Sequence, residues 1–159
     1  MSEQRQRQMK KAIKNGVTIV QATSEQEICD WYRILHQLYR TKVHTPLFSI
    51  DFFLEFYRKE CGKYLLVKNE GNVIGGMMCP ILKGRAIYEW YVCGLDDDYR
   101  ELYPSVMATY AAIEYAKENS LPLFDFMGAG KPDVNYGVRD FKKEFGGEIV
   151  EHGRFLYVR

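Results

Sequence analysis

The middle of the chain constrains the fold most, because three predicted strands follow one another with only short turns between them. Residues 63–68, 73–82 and 86–93 are rich in the β-branched, aromatic and apolar residues that strands favour. Turn residues separate the runs, with Gly71 in the first turn and Gly84 in the second. Strands joined in this way form an antiparallel meander. The pair Gly75-Gly76 predicts a bulge, or a close backbone approach, in the second strand.

Helical patterns flank this meander on both sides. After a short strand at residues 17–21, a capping box of Ser24 and Glu27 predicts a helix, and Ser49 caps the next. A long helix at 103–119 begins at Pro104. It leads to a strand at 123–126, a short helix at 136–145 that Gly146 and Gly147 end, and a last strand at 148–158. This order predicts an α/β (α+β) domain with a mixed, mostly antiparallel sheet flanked by helices, which is the order of the acetyltransferase fold.

Size and composition favour one domain. The chain has 159 residues, 47% of them hydrophobic, enough for a single core. We assign residues 16–159 to that domain and the basic segment 1–15 to a lead-in helix or a linker. A net charge of +1 indicates neither a nucleic acid nor an acidic partner. Four cysteines without a C-x-x-C pair, no secretory segment and no apolar run long enough for a membrane span predict core thiols in a cytoplasmic protein.

The last third of the chain carries a family resemblance. Residues 113–120, the Phe124-Asp-Phe126 segment and residues 137–148 (GVRDFKKEFGGE) resemble the Fem-type aminoacyl transferases that build peptidoglycan cross-bridges. The basic segment 7–17 is similar to the helix that opens the second, C-terminal half of those proteins. The resemblance implies an acetyltransferase-like (GNAT) domain that transfers an amino acid from aminoacyl-tRNA to an amine of a peptidoglycan precursor. It also implies a preceding domain of the same fold and no separate cofactor. The oligomeric state stays open.

Two residues are candidates for catalysis. By the resemblance, Lys142 matches a family lysine that faces the transfer site, where a point charge suits a phosphate or a developing oxyanion. The alternative is a solvated helix lysine beside Lys143. Glu89 interrupts an apolar strand, so burial would raise the pKa of its carboxyl and make it a general base. If that face of the strand is wet, Glu89 is an ordinary carboxylate.

A further group of residues is expected to contact substrate, either as pocket wall, as hydroxyl groups or as polar anchors. Its members are Phe141, Tyr136, Arg139, Tyr91, Tyr88, Tyr110 and Asp125. For each of them a structural role in the core edge or at the surface remains open. The histidines His36 and His44 lack the spacing of metal ligands, so we predict no metal site.

Two other functions compete with aminoacyl transfer. An acetyl-CoA-dependent N-acetyltransferase would hold the CoA diphosphate in a Gly-rich turn before the long helix. Residues 94–101 stand in that position, and their four carboxylates make acetyl-CoA the less favoured donor. The third hypothesis is a non-catalytic module that binds a substrate or a partner domain.

Overall fold

The computed structural model describes residues 1–131, 133–151 and 157–158, and within them it contains five α-helices, one π-helical turn and six strands. The helices are α1 (Glu3–Lys14), α2 (Glu25–Leu38), α3 (Ile50–Arg58), α4 (Pro104–Glu118) and α5 (Gly137–Lys143), and the π-helical turn is Tyr39–Val43. The strands are β1 (Val17–Gln21), β2 (Gly62–Asn69), β3 (Asn72–Leu82), β4 (Ala86–Tyr88), β5 (Tyr91–Gly94) and β6 (Leu123–Asp125).

The strands form one sheet with the order β1-β2-β3-β4-β6, and β5 pairs with β3 beside β4. β1 pairs with β2, β2 with β3, and β3 with both β4 and β5, all antiparallel. β4 and β6 are parallel. Parallel pairing requires a crossover, and α4 supplies it. The predicted mixed, mostly antiparallel sheet flanked by helices is confirmed.

The single strand predicted for residues 86–93 is wrong, because it is broken at Glu89 and Trp90. The backbone N–H of Glu89 donates to Asp125 O of β6 at 2.9 Å, whereas the N–H of Trp90 donates to Met78 O of β3 at 3.2 Å. β3 remains the partner on both sides of the break, with its register shifted by one residue, whereas the pairing with β6 ends at Tyr88. Apolar periodicity could not show this break, because both halves read as strand.

The glycine pair in β3 lies at a bulge and at a close approach, as predicted. The pairing register shifts opposite Val67 and Lys68, so that Ile74 is extra on β3. A Cβ on Gly76 would lie 2.7 Å from Leu65 O, and a Cβ on Gly75 would lie 2.8 Å from Cys93 O. The bulge therefore needs residues without a side chain.

The helix caps agree in part with the sequence. Ser24 Oγ accepts the N–H of Glu27 at 3.3 Å, but the Glu27 carboxylate accepts from Thr23 N rather than from the Ser24 backbone. Ser49 is the N-cap residue of α3, as predicted, but its side chain makes no capping hydrogen bond to the backbone of the helix. Gly146 and Gly147 follow the last turn after α5 with φ of 91° and 95°, as a left-handed ending requires.

The last predicted strand, residues 148–158, is not a strand at 148–151 or at 157–158, and the rest of it lies outside the described residues. Ile149 and Val150 are exposed, so their apolar side chains find no sheet to cover. The prediction of core cysteines is also corrected. All four thiols are unpaired, but only Cys79 and Cys93 are buried, and Cys61 is exposed.

The N-terminal segment is a helix that packs onto the domain. Ala12 of α1 is fully buried, and it belongs to a cluster with Val67, Ile74 and Met107. Lys11 also pairs with Glu101, in the turn that precedes α4. These contacts attach α1 to the sheet and to α4, so its N-terminal end has a fixed place near α5.

Gly94 should be the most sensitive position where the sheet meets α4. An added Cβ would lie 2.6 Å from Ser105 N and 2.9 Å from Pro104 Cβ, and backbone cannot yield easily. We expect Gly94→Ala to lower the free energy of unfolding by about 1–3 kcal/mol in a denaturant titration. Gly128→Ala is the control, because a Cβ there meets no atom within 4 Å. Equal stability of the two variants would contradict the close approach.

Candidate functional site

Lys142 of α5 points into the protein rather than into solvent. Only 11% of its side chain is exposed, and its Nζ lies 3.0 Å from Glu89 Oε1. The ammonium also donates to two backbone carbonyls, Phe126 O and, at 3.0 Å, Gly128 O. Three acceptors therefore surround the three protons of the ammonium, which matches its donor capacity.

The site forms where two parallel strands separate. β4 and β6 pair over only three residues each, ending at Tyr88 and Asp125. Beyond this point β5 continues along β3, and the chain after β6 turns away as a loop. The carbonyls of Phe126 and Gly128 thus lose a strand partner, and Lys142 supplies the missing donors. Glu89 stands at the branch point itself.

Glu89 is a buried carboxylate with one oxygen left over. It is 5% exposed, and its Oε2 has no hydrogen-bond partner among the described residues, whereas Oε1 faces Lys142. Burial raises the pKa of the carboxyl, and the charge and hydrogen bond of Lys142 lower it to a smaller extent. An unpaired acceptor in a buried place is costly, so Oε2 of Glu89 is a candidate position for a hydrogen-bond donor from a ligand. The arrangement can accept a proton at Oε2.

α5 is held in place from the opposite end of the chain. The guanidinium of Arg5 lies over the Phe141 ring, 4.6 Å from its centre, and its Nε is 3.0 Å from Glu144 Oε2. Ser2 N also donates to Glu144 O at 2.7 Å. Sequence reasoning missed Arg5, which it placed in a basic lead-in. The sequence carried no local signal for this contact, because Arg5 and α5 lie at opposite ends of the chain.

Arg139 and Asp125 organise the loop between β6 and α5. Arg139 donates to the carbonyls of Ala129, Val134 and Lys131. Asp125 Oδ1 accepts the N–H of Met127 at 2.6 Å, next to the Phe126 carbonyl that Lys142 binds. Both side chains thus make structural contacts, and their contact with substrate stays a prediction.

The predicted tyrosines are spread over the domain. Tyr91 belongs to the aromatic cluster under α2 and α3, where burial raises the pKa of its hydroxyl. Tyr136 is 42% exposed, and its ring packs on Gly130 of the loop. A Cβ added to Gly130 would lie 2.7 Å from this ring. Tyr88 is half-buried at the end of β4. Tyr110 lies on the α1 side of α4, in a different cluster from Tyr91. The structure therefore brings Lys142 and Glu89 together, packs Phe141 against Arg5 and Phe145, and sets Tyr110 apart.

The N-terminus of α4 already holds a carboxylate. Asp96 accepts the backbone N–H of Ser105 at 3.1 Å through Oδ1 and the Ser105 hydroxyl through Oδ2. Asp97 of the same loop pairs with Lys42 at 2.7 Å. The free N–H groups of a helix N-terminus are what an anionic ligand would use, and here a side chain of the same chain uses one of them.

Two cavities lie along α2 and the π-helical turn, and neither is lined by Glu89 or Lys142. Within the part of the chain that the structure describes, no group of three or more His, Cys, Asp or Glu side chains could hold a metal ion. Likewise, no helix among the described residues is both long and apolar enough to cross a membrane.

The sequence of residues 2–143 matches the family model described as acetyltransferase (GNAT) domain. The chain belongs to the GNAT family. This family is one of acyltransferases, so the predicted enzyme class and the predicted fold are both confirmed at this level. No curated protein sequence matches the chain.

Solved structures share the GNAT fold at low sequence identity. FemX has a TM-score of 0.75 at 15% identity, and the match covers 91% of this chain and 54% of FemX. The aminoglycoside acetyltransferase meta-AAC0020 from an uncultured soil metagenomic sample, solved in complex with sisomicin, has a TM-score of 0.67 at 14% identity. The match covers 92% of this chain and 98% of that protein. Ard1 from Thermoplasma volcanium has a TM-score of 0.63 at 17% identity, and the match covers 86% of this chain and 85% of Ard1.

The stability of this GNAT domain should depend on pH through Glu89. Because the folded-state pKa of Glu89 is raised, its contribution to stability is complete below the unfolded pKa and is lost as pH rises through the folded pKa. The Lys142→Met variant lacks the ammonium that lowers the pKa of Glu89. The free energy of unfolding lost at neutral pH should therefore grow to about 3–5 kcal/mol in this variant.

Thermal unfolding from about pH 5 to about pH 8 measures this effect. We expect a shallow decline in the wild type and a steep one in Lys142→Met, whereas the double variant Lys142→Met/Glu89→Gln should lack the decline due to this group. Parallel curves for all three proteins would contradict the assignment of the buried pair.

Proposed function

We propose that this domain transfers an activated aminoacyl group to an amine, and that Glu89 takes the proton of that amine. The observation that carries the proposal is the buried, unpartnered Oε2 of Glu89 beside Lys142. The GNAT family supports acyl transfer as the reaction class. The resemblance of residues 137–148 to Fem-type transferases, and the similarity in fold to FemX, support the aminoacyl donor.

The proposed step needs only one proton acceptor. The amine nitrogen attacks the ester carbonyl of the aminoacyl donor, and the bond to the ribose oxygen breaks. The amine loses its proton to Glu89 Oε2, which passes it to the leaving oxygen. A general base works best when its pKa lies near the operating pH, and burial moves the Glu89 pKa in that direction.

Lys142 acts in this scheme as a positioning residue for Glu89. Its donors are taken by Glu89 Oε1 and by the carbonyls of Phe126 and Gly128, so it holds one oxygen of Glu89 and leaves the other open. It also keeps Glu89 charged, since a neighbouring cation favours the ionised form. The lysine would approach a phosphate or an oxyanion only by leaving these partners.

The donor is proposed to be aminoacyl-tRNA and the acceptor a peptidoglycan precursor. Asp96 occupies the N-terminus of α4, and Asp97 and Asp98 follow it, so a CoA diphosphate would meet negative charge at this position. Charged tRNA is made in the cytoplasm, and we place the protein there. The match covers 54% of FemX, which supports the proposal that a preceding domain of the same fold completes the site. Residues 16–159 are proposed as the GNAT domain, with α1 attached to it.

Acetyl-CoA is the second candidate donor, because the family description and the aminoglycoside acetyltransferase structures both name acetyl transfer as the activity. We expect no rise in thermal midpoint with acetyl-CoA. A ligand at about 100 times its dissociation constant stabilises a protein by about 2.7 kcal/mol. A rise of that size would instead favour the N-acetyltransferase.

Loss of the Glu89 carboxylate should slow transfer without unfolding the protein. We expect Glu89→Gln to lower kcat by about 10²- to 10⁴-fold for amide formation from aminoacyl-tRNA onto a muropeptide amine, because a positioned general base contributes that much. Glu118→Gln is the control, because this carboxylate is exposed at the end of α4 and lies outside the proposed step.

The full-length protein should be used in that assay, with any domain that precedes residue 1 included. Full activity in Glu89→Gln would exclude Glu89 as the base. If neither variant nor wild type forms product from aminoacyl-tRNA, the aminoacyl transfer itself is excluded, and the acetyl-CoA-dependent N-acetyltransferase and the binding module become the remaining interpretations.

A further inference from the structure

Two backbone carbonyls of the loop after β6 hold the ammonium that faces Glu89. Lys142 donates to Phe126 O and, at 3.0 Å, to Gly128 O. The same ammonium lies 3.0 Å from Glu89 Oε1. The two carbonyls belong to the residues on either side of Met127, so the backbone angles of Met127 help to set their relative direction. The conformation of this one residue therefore bears on where the ammonium lies.

Met127 adopts a backbone conformation that methionine disfavours. Its φ is 57°, in the left-handed region, where the Cβ of an ordinary residue crowds the following carbonyl. Its side chain is 44% exposed, so burial of that side chain compensates little. Such a residue persists only where surrounding contacts hold it in place. The turn therefore needs a specific contact that fixes the backbone of Met127.

The side chain of Asp125 makes that contact. Asp125 Oδ1 accepts the N–H of Met127 at 2.6 Å, which is the hydrogen bond of an Asx turn. The backbone carbonyl of Asp125 also accepts the N–H of Glu89, at 2.9 Å. One residue at the end of β6 is thus bonded both to the backbone of Glu89 and to the turn that presents the two carbonyls. The contacts close a ring from Glu89 through this turn to Lys142 and back to Glu89.

We propose that Asp125 is a positioning residue for the pair of Lys142 and Glu89, and that it acts through the turn at Met127 rather than by touching substrate. The inference rests on the proposed function, because that function gives the pair its role in transfer. Without the turn, the ammonium loses its two carbonyl partners and with them its fixed place beside Glu89 Oε1. The Oδ1 acceptor carries this role and the negative charge does not, so asparagine can replace Asp125 and alanine cannot.

The groups around Glu89 let its titration report the position of Lys142. Burial raises the pKa of Glu89, and the ammonium of Lys142 lowers it to a smaller extent. On β3, burial and then the charge of Glu89 raise the pKa of the Cys79 thiol; on α4, burial and then Cys79 raise the pKa of the Tyr115 hydroxyl. Both groups therefore stay neutral at neutral pH. Removing the charge of Asp125 on β6 can only lower the pKa of Glu89, whereas displacing Lys142 raises it.

The first test follows the Glu89 carboxyl by carbon NMR of the full chain labelled at the glutamate side-chain carboxyl, with Glu89→Gln to assign the resonance. We expect Asp125→Ala to raise the pKa of Glu89 toward that in Lys142→Met. In the transfer assay it should lower kcat about five- to thirtyfold, the equilibrium cost of one residue in the left-handed region. Asp125→Asn should not raise the pKa and should keep kcat near that of the wild type. Asp133→Ala, which removes an exposed carboxylate of the same loop, is the control.

Position 127 gives a second test, which also covers the case in which Asp125→Ala does not fold. Met127→Val should raise the pKa of Glu89 and lower kcat, because a β-branched residue tolerates the left-handed region poorly. Met127→Asn should behave like the wild type, because asparagine adopts this region more readily. In the double variant Asp125→Ala/Met127→Asn, the asparagine should therefore restore much of the lost kcat.

Several outcomes would overturn the positioning role. These are an unchanged or lowered pKa of Glu89 in Asp125→Ala, and no difference between Met127→Val and Met127→Asn. An equal loss of kcat in Asp125→Asn and Asp125→Ala would also overturn it and assign the carboxylate to direct contact with substrate. If the pKa changes are as expected but Glu89→Gln keeps full transfer activity, the proposed function fails while the positioning of the pair stands. If transfer needs Glu89 but Asp125→Ala matches the wild type in pKa and kcat, only this inference fails.

Discussion

The ammonium of Lys142 donates to backbone carbonyls that have no neighbouring strand in the part of the chain that the structure describes, and the geometry of the site depends on this interaction. Where β4 and β6 separate, the carbonyls of Phe126 and Gly128 have no hydrogen-bond partner on a neighbouring strand among the described residues. Lys142 donates to both carbonyls and also pairs with Glu89. A buried cation is tolerated only with such partners, and a buried carboxylate only with such a cation. The gap between the strands, the charge of Glu89 and the position of α5 are therefore one linked feature, supported from outside by Arg5.

Charged side chains are neutralised to different extents at two positions of the domain. At the start of α4, Asp96 satisfies the helix N-terminus from within the chain, and Asp97 is paired with Lys42. On α2 and the π-helical turn, Arg40 has no carboxylate partner among the described residues. In the proposed reaction the carboxylates at the start of α4 disfavour a diphosphate on the donor.

The sequence predicted the elements that depend on local chemistry. The capping of α2 by Ser24, the start of α4 at Pro104, the glycine bulge in β3 and the chirality at Gly146 all follow from single residues or short spacings. The pairing of Lys142 with Glu89 could not be predicted, because 53 positions separate them and only the strand separation brings them together. The break at Glu89 was missed for the same reason, since the end of the β6 pairing and the shift in the β3 register are properties of the sheet. The lack of a carboxylate partner for Arg40 among the described residues could not be predicted, because in sequence it looks like any surface arginine.

The most direct test of the account is a double-mutant cycle on the buried pair. The free energies of unfolding of Glu89→Gln, Lys142→Met and the double variant would be compared with the wild type near neutral pH. We predict that the double variant is more stable than the sum of the single losses implies, by about 2 kcal/mol or more, because each single change leaves the partner unpaired. Strictly additive losses would mean that the two side chains do not depend on each other, and would contradict the proposed site.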